Sequence, residues 1–576
     1  MVKLFEYVKK LSGIYLIFLT FLLPLKFSGI AIMPETSSYF PAEYWEYILV
    51  NFPNNSLGIF SGIGLILAII AYGSSLRGGF NIIFLLSLAI FSIFGVFNAS
   101  TQDYVYLSLA HIWGVISYIL SIYLWIKDDK DNLNRFYNVI TISAALTLLV
   151  GLYQYFIGFD EQIEFYKSQA KGNFEVDLSN KLMERRIYST FGGCNVYAGY
   201  LLLILGIALY RIKEFSELFH PQKTSRIIFF VIFGITYLFV IANTGSRAVI
   251  LGVFFGILLM VFLSKISKKI KIALALSLGF LSVAGILASQ FFGRNFASFT
   301  ERFGYIKSSL IMMYNHFFLG SGWGDFLVDN QKYRFIISNE AARDPHNIFL
   351  TFGSQAGIFA MLAIIALFLV PLIKFIIRYR KDFDLKNGII IFSAVAFLIH
   401  AMLDVDYQIP GLFALAGGIF VTLNIDDEKD LFTNRYLKCF ILFLMALIGF
   451  LSFKLSLYNT VSEKKYDDFV NSINSNSIVF DIEKKYNEID KLKPYSPFHK
   501  IKMYQYLKYY HRNINIGVFN MKVLPYLLKA IEKSPERAGY YRYLSDYYFE
   551  INDKVNGEKY LQKSIELAPY TAKIKL

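Results

Sequence analysis

The amino-acid sequence predicts an all-α protein: a polytopic transmembrane helix bundle followed by a soluble, tetratricopeptide-like α-helical domain. Three observations carry this. The 576 residues are 55% hydrophobic and only 17% charged, with a mean hydropathy of +0.46, whereas a water-soluble chain of this length needs far more polar surface. Apolar runs long enough to cross a bilayer, which takes about 20 residues, recur as far as Leu457. Lys and Arg gather at alternate ends of these runs, as they do in membrane helices.

About 12–13 spans follow in order, beginning near Leu11, Leu57, Phe80, Val105, Tyr137, Val196, Ile227, Arg247, Ile272, Asn347, Gly388, Pro410 and Cys439. The first run is long enough to span and stay, so no cleavable signal peptide is expected. The Ile227 and Arg247 spans form a hairpin turning at Asn243-Thr244-Gly245-Ser246. One set of alternate connections carries Lys9 and Lys10, Arg77, Lys127 and Lys130, Arg211 to Arg226, Lys265 to Lys271, Lys374 to Lys386 and Lys429 to Lys438. The opposite connections at 33–56, 98–104 and 403–409 hold no Lys or Arg. The positive-inside rule therefore expects a cytoplasmic N-terminus, and an odd number of spans puts the C-terminal domain outside. The net charge of +14 is spent on this orientation, so no nucleic-acid partner is expected and membrane lipids are the surrounding medium. Cys194 and Cys439 fall on opposite sides, which excludes a disulfide between them.

The expected domains are 1–457, the membrane domain with an outward loop at 292–345, and 458–576, an extracytoplasmic domain. In the second, Ala530-Ile531-Glu532-Lys533-Ser534-Pro535 recurs as Ser564-Ile565-Glu566-Leu567-Ala568-Pro569 after 34 residues. Tyr541, Leu544, Ser545, Tyr548, Gly557 and Leu561 match the tetratricopeptide spacing of bulky and small helix-packing positions. Such hairpins must stack on a neighbour to bury their apolar faces, so binding or scaffolding, with a protein partner among the options, is the expected role.

Charged groups near apolar spans are costly, and functional use is the default reading. The 292–345 loop carries Arg294, Arg302, Arg334 and Arg343 and hands Asp344-Pro345-His346-Asn347 to the next span. Cations and an imidazole at the outer membrane edge suit an anionic, lipid-linked substrate. Arg247, at the hairpin tip, either grips a phosphate bidentately or snorkels to headgroups. Arg302 either meets an anion or pairs with Glu301. Asn195 follows Arg185, Arg186 and a glycine pair and either faces ligand or caps a helix. His346 is either a proton acceptor or a helix-start residue. His316 precedes a Gly320–Gly324 turn read as structural, and His400, Asp404 and Asp406 form a patch that orients groups in the same site or closes a gate. No metal-ligand or nucleotide-binding motif occurs, so neither a metal nor a cofactor is expected.

Four segments together resemble the O-antigen ligase and O-antigen polymerase superfamily of bacterial envelope enzymes. They are Arg186 with Ser189-Thr190-Phe191-Gly192 to Ala198; Thr244-Gly245-Ser246-Arg247; Arg302-Phe303 leading to Asn315-His316 and the Gly320–Phe326 turn; and Pro345-His346-Asn347 through Gly357. Cys194 and Phe317 stand where that family commonly has proline. The resemblance implies a GT-C-like fold in the bacterial inner membrane and a metal-independent glycosyltransferase of lipopolysaccharide biosynthesis. Its donor would be a glycan on undecaprenyl or another polyprenyl diphosphate; its acceptor would be lipid-A-core in ligation, with a growing glycan or a protein as alternatives. Arg186, Arg247 and Arg302 would hold the diphosphate, His346 and Arg302 would serve catalysis, and Asn195, Asn347 and His316 would support them. A reading of a different class, a glycan-lipid transporter, expects polar groups near the bilayer midplane, and here they lie at the outer edge.

Overall fold

A computed structural model describes residues 2–35, 40–41, 43–76, 78–169, 183–219, 222–291, 297–334, 342–381, 384–475, 477–510 and 521–571, and no strand occurs among them. The first ten helices are α1 (Val2–Lys26), α2 (Leu57–Tyr72), α3 (Phe80–Phe91), α4 (Gln102–Asp128), α5 (Asp131–Tyr153), α6 (Phe159–Gln169), α7 (Cys194–Phe219), α8 (Lys223–Asn243), α9 (Arg247–Leu263) and α10 (Lys268–Phe291). After α11 (Ala297–Asn315), α12 (Phe326–Tyr333) and α13 (Ile348–Ala356) come α14 (Ile358–Lys381), α15 (Leu385–Ala401), α16 (Pro410–Thr422) and α17 (Arg435–Asn474). Seven helices have the length and apolarity of a membrane span among the described residues, and α2, α3, α9, α15 and α16 are shorter but equally apolar. The protein is a polytopic helical membrane protein.

The core of the bundle is α4, whose apolar stretch is wholly buried, whereas that of α8 is almost entirely exposed on the lipid side. α4 packs against α2, α16 and α17. Where α2, α4 and α17 meet, small residues let the backbones touch: a Cβ on Gly62 would stand 2.5 Å from the Gly449 carbonyl oxygen, and one on Gly58 would strike the Ser456 hydroxyl. Close contact of this kind is how helices associate where lipid offers no hydrophobic drive.

Two expectations need correction. The 292–345 stretch is not a plain polar loop, because it contains α11 and α12. On α11, Phe303, Ile306, Leu310 and Tyr314 form an exposed stripe at helical spacing while Tyr305, Ser308, Ser309 and Met312 are buried. Phe318 just beyond stacks on Phe359 of α14 at 6.1 Å, so the stripe runs into the outer surface of a span, as in an interfacial helix. The span expected from Asn347 is broken at Gly357, which has φ +89. A Cβ there would collide with the Phe318 carbonyl, so α13 stops after nine residues and the long span is α14. Position 457, where the expected domains meet, lies within α17, which runs unbroken for 40 residues from the membrane part into the tail.

The tail continues with α18 (Val479–Leu492), α19 (Phe498–Tyr510), α20 (Leu524–Lys533), α21 (Ala538–Glu550) and α22 (Lys554–Leu567). The two copies of the 34-residue repeat fall at the ends of α20 and α22. α21 and α22 form a hairpin in which Ser545 donates to the Gly557 carbonyl and Ser564 to that of Ala538, both at 2.8 Å. The tail touches the membrane part: Lys493 meets Asp103 at 3.3 Å and the Thr101 and Ser534 hydroxyls are 2.9 Å apart.

Candidate functional site

Residues from four distant stretches converge at one end of the bundle, while the Lys9–Asp128, Lys130–Asp426 and Lys438–Asp430 ion pairs mark the other end. Arg186 donates from Nε to the Thr244 carbonyl at 2.8 Å and from a terminal nitrogen to Asn195 Oδ1 at 2.7 Å. Asn195 at the start of α7 passes the link on, its Nδ2 donating to Asp404 Oδ2 at 2.9 Å. The same oxygen faces a terminal nitrogen of Arg302 at 3.5 Å, so Asp404, and not Glu301, is the partner of Arg302. Asp404 is buried and Arg302 half-buried, and the Arg302 Nε is buried with no hydrogen-bond partner among the described residues.

The hairpin between α8 and α9 contributes the next layer. Gly245 has φ +63, which lets the chain reverse over two residues and leaves Ser246 as the N-cap and Arg247 as the first residue of α9. Ser246 Oγ lies 3.3 Å from His400 Nε2, and His400 Nδ1 lies 2.6 Å from Asp406 Oδ2. All three side chains are buried. Gly199 makes the room: a Cβ there would stand 2.8 Å from His400 Nδ1. Ser246 and Arg247 lie at the site end of a cavity of about 660 Å³, walled mainly by apolar side chains of α7, α8 and α9 such as Leu202, Leu238, Ile241 and Val249.

His346 approaches from the 343–347 turn. Its backbone sits at φ +56, a conformation that costs a side-chain-bearing residue energy and is held by its surroundings. Asp344 holds it, its Oδ1 accepting the His346 N–H at 2.6 Å while Oδ2 takes the Thr351 hydroxyl at 2.8 Å. His346 Nδ1 lies 3.0 Å from the Asp344 carbonyl oxygen. A carbonyl can only accept, so Nδ1 carries the hydrogen and the neutral ring keeps its lone pair on Nε2. The ring stacks on Tyr305 at 5.2 Å, and Tyr305 lies one helical turn from Arg302 on α11.

The remaining candidates sort clearly. Asn347 caps α13, accepting from Phe349 and Leu350 N–H groups at 3.0 Å, and its Nδ2 donates to the Met402 carbonyl two residues before Asp404. It therefore ties the His346 turn to the Asp404 connection. His316 is not brought in: it is exposed beyond the end of α11, about 20 Å along that helix from Arg302. Gly320, Gly322 and Gly324 all have positive φ, and a Cβ on Gly320 or Gly322 would strike the backbone of Gln355 or Ala99, so that turn is wedged into the bundle. Arg185 pairs with Asp160, and Arg334 and Arg343 bond to other parts of the chain, as described below. Arg294 lies outside the described residues. Sequence reasoning missed Ser246, Tyr305 and Asp344; Asp344 carried a signal, an acid directly before Pro345-His346.

The fold defines a class, a polytopic helical membrane protein, and its arginines and histidines gather at one end of the bundle. Residues 229–365 match the model of the family described as O-Antigen ligase. The matched stretch includes Arg247, Arg302, His316, His346 and Asn347, while Arg186, Asn195, His400, Asp404 and Asp406 lie beyond it. No curated protein matches the chain. At the level of the family, the match supports ligase-like glycan transfer in a membrane.

Proposed function

We propose that the protein transfers a glycan from a polyprenyl diphosphate carrier to a hydroxyl of an acceptor, with lipid-A-core as the first choice. Arg186, Arg247 and Arg302 hold the diphosphate and His346 takes the acceptor proton. The Arg302 Nε, buried with no hydrogen-bond partner among the described residues, carries this reading. A buried guanidinium N–H without an acceptor is costly, and Arg302 is held only loosely by Asp404, so an entering phosphate oxygen completes it. Arg186, Arg247 and Arg302 outnumber the Asp404 and Asp406 carboxylates and leave the cluster cationic, matching an anion with two phosphates. The apolar cavity behind Arg247 suits the isoprenoid.

In the reaction, the acceptor hydroxyl gives its proton to His346 Nε2 and its oxygen bonds to the anomeric carbon. The bond from that carbon to the diphosphate oxygen breaks, and the electron pair leaves with the diphosphate, whose growing charge the arginines stabilise. His400 is the rival base, but its ring is fully buried and both of its nitrogens are engaged. In this reading the N-terminus is cytoplasmic and the site faces outward.

The test is direct. Purified protein given a labelled polyprenyl-diphosphate glycan is offered lipid-A-core, free glycan and peptide acceptors, with and without chelator. The expected result is glycosylated lipid-A-core and released polyprenyl diphosphate in both conditions. Product on the glycan or peptide alone reassigns the acceptor, and strict dependence on an added divalent cation overturns the arginine assignment.

A further inference from the structure

The His346 turn and the tail share one half-buried carboxylate. Glu35, in the connection after α1, accepts from both terminal nitrogens of Arg537 at 3.2 Å and from the Tyr104 hydroxyl. Its other oxygen faces Arg343 at 3.5 Å. Arg537 opens α21 in the tail, donates to the Tyr104 hydroxyl at 3.1 Å, and lies over the rings of Tyr104 and Phe498. Arg343 stands three residues before His346, with buried Asp344 and Pro345 between them. Arg334 at the end of α12 is almost wholly buried and donates to the Tyr570 carbonyl and the Thr571 hydroxyl beyond α22.

These contacts share a pattern. The tail reaches the membrane part at the start of α4 and at the residues that flank the catalytic turn. Burial alone would raise the Glu35 carboxyl, but the Arg537 and Arg343 guanidiniums and the Tyr104 hydroxyl outweigh it and hold it below the usual carboxylate range. Glu35 is therefore the anion that two guanidiniums from separate regions need at once. Between Arg343 and His346 the slack is small, because a proline ring fixes one φ and Asp344 clamps the His346 amide.

We propose that the tail is a working part of the active site: Arg537, through Glu35 and Arg343, positions His346 for the acceptor hydroxyl. The three are positioning residues, not groups that touch substrate, and the proposal rests on the reading of His346 as the base. It predicts that loss of Arg537, far along the sequence from His346, loosens the His346 turn and slows chemistry without weakening donor binding.

The experiment uses the full-length protein in detergent with Arg537→Ala, Glu35→Gln, Arg343→Ala and Arg343→Lys, and Lys508→Ala as a control on the exposed Lys508–Glu550 pair. Two readouts are taken: hydrogen exchange of backbone amides 343–350, and the kinetics of transfer. Arg537→Ala, Glu35→Gln and Arg343→Ala should speed exchange at the His346 amide and lower kcat by about 10- to 100-fold, with the donor KM unchanged. Arg343→Lys should recover part of the rate, and Lys508→Ala should change neither readout. Protection in α21 and α22 shows that the tail is still folded. Unchanged exchange at 343–350 in Arg537→Ala overturns the proposal, and so does faster exchange with wild-type kcat. If the wild-type protein transfers no glycan, the exchange measurement still decides whether the tail holds this turn, so the two readings fail separately.

Discussion

Two histidines at the site end each stand beside an aspartate, and the two pairs are built in opposite ways. His400 gives its ring Nδ1 to the carboxylate of Asp406 and its Nε2 to Ser246, so the whole ring is spent inside the bundle. His346 gives its ring Nδ1 to the main-chain carbonyl of Asp344, while that residue's carboxylate takes the backbone N–H. The first arrangement buries a paired imidazole as a brace under the hairpin that presents Arg247. The second fixes a tautomer and points a lone pair away from the backbone. A histidine beside an aspartate is thus not one motif; which atoms of the aspartate are used decides whether both ring nitrogens are engaged or Nε2 keeps its lone pair.

The comparison is broken most sharply at His346. His346→Ala is expected to lower transfer by roughly 100- to 10,000-fold, the usual worth of a general base, with donor KM little changed. His346→Gln, which can hydrogen-bond but cannot take the proton, should be nearly as slow. A glutamine variant with near-normal turnover beside a failing alanine variant would make His346 a brace as well.

Removing an arginine proposed to bind the donor should cost less. Arg302→Ala loses charge-assisted hydrogen bonds worth about 1.5–3 kcal/mol each, so donor use should weaken by roughly 10- to 100-fold. Arg302→Lys should recover only part of it, since an ammonium lacks the planar fork. Donor affinity unchanged in Arg302→Ala, measured by binding of a labelled polyprenyl diphosphate, would leave its unpartnered Nε without a role.

On the brace, the expected effect is smaller again. His400→Gln alone would strand the Asp406 charge, and breaking a buried pair costs about 3–5 kcal/mol; His400→Gln with Asp406→Asn avoids that. The double variant should fold and keep transfer within about tenfold of wild type, because it disturbs only the support of Arg247. A loss as large as that of His346→Ala in a folded double variant would mean that the buried dyad carries the proton.

These distinctions were only partly legible in the sequence. All of the apolar runs fall on helices, because about 20 apolar residues leave the backbone few other options in lipid. Arg186, Asn195, Arg302 and Asp404 were all visible as candidates, but their chain of contacts was not, since it joins residues from separate spans. The Gly357 break was hidden because glycine is tolerated inside an apolar helix pattern, and only the packed Phe318 backbone makes it a stop. The helical spacing of Phe303, Ile306, Leu310 and Tyr314 could have been read as an amphipathic helix, but the arginines around it drew the stretch toward a loop. His316 is the reverse case, a titratable residue in a matching motif that the fold leaves about 20 Å along α11 from Arg302.

The smallest expected effect concerns the aspartate under His346. Burial pushes the Asp344 carboxyl above its ordinary value, although His346, Tyr407 and Thr351 oppose the shift. A carboxyl raised in the folded state keeps its proton at a pH where the unfolded chain has lost it. Folded stability therefore falls as pH rises from about 4, the unfolded value, through the higher folded value. The Thr351 opposition is only partial: its single hydroxyl hydrogen has two acceptors in reach, Asp344 Oδ2 at 2.8 Å and the Asn347 carbonyl at 2.9 Å. When it goes to the carbonyl, the Asp344 contact needs a proton of its own. Asp344→Asn reproduces the protonated carboxyl, one acceptor and one donor, so it should fold, retain most transfer, and show a shallower loss of melting temperature between pH 4 and 7 than wild type. The slope will not vanish, because Asp325, raised to about 7 by burial, titrates in the same window. An unaltered slope, or a variant that loses transfer like His346→Ala, would show that the charged carboxylate is what holds the His346 turn and that the two His–Asp pairs are more alike than their geometry implies.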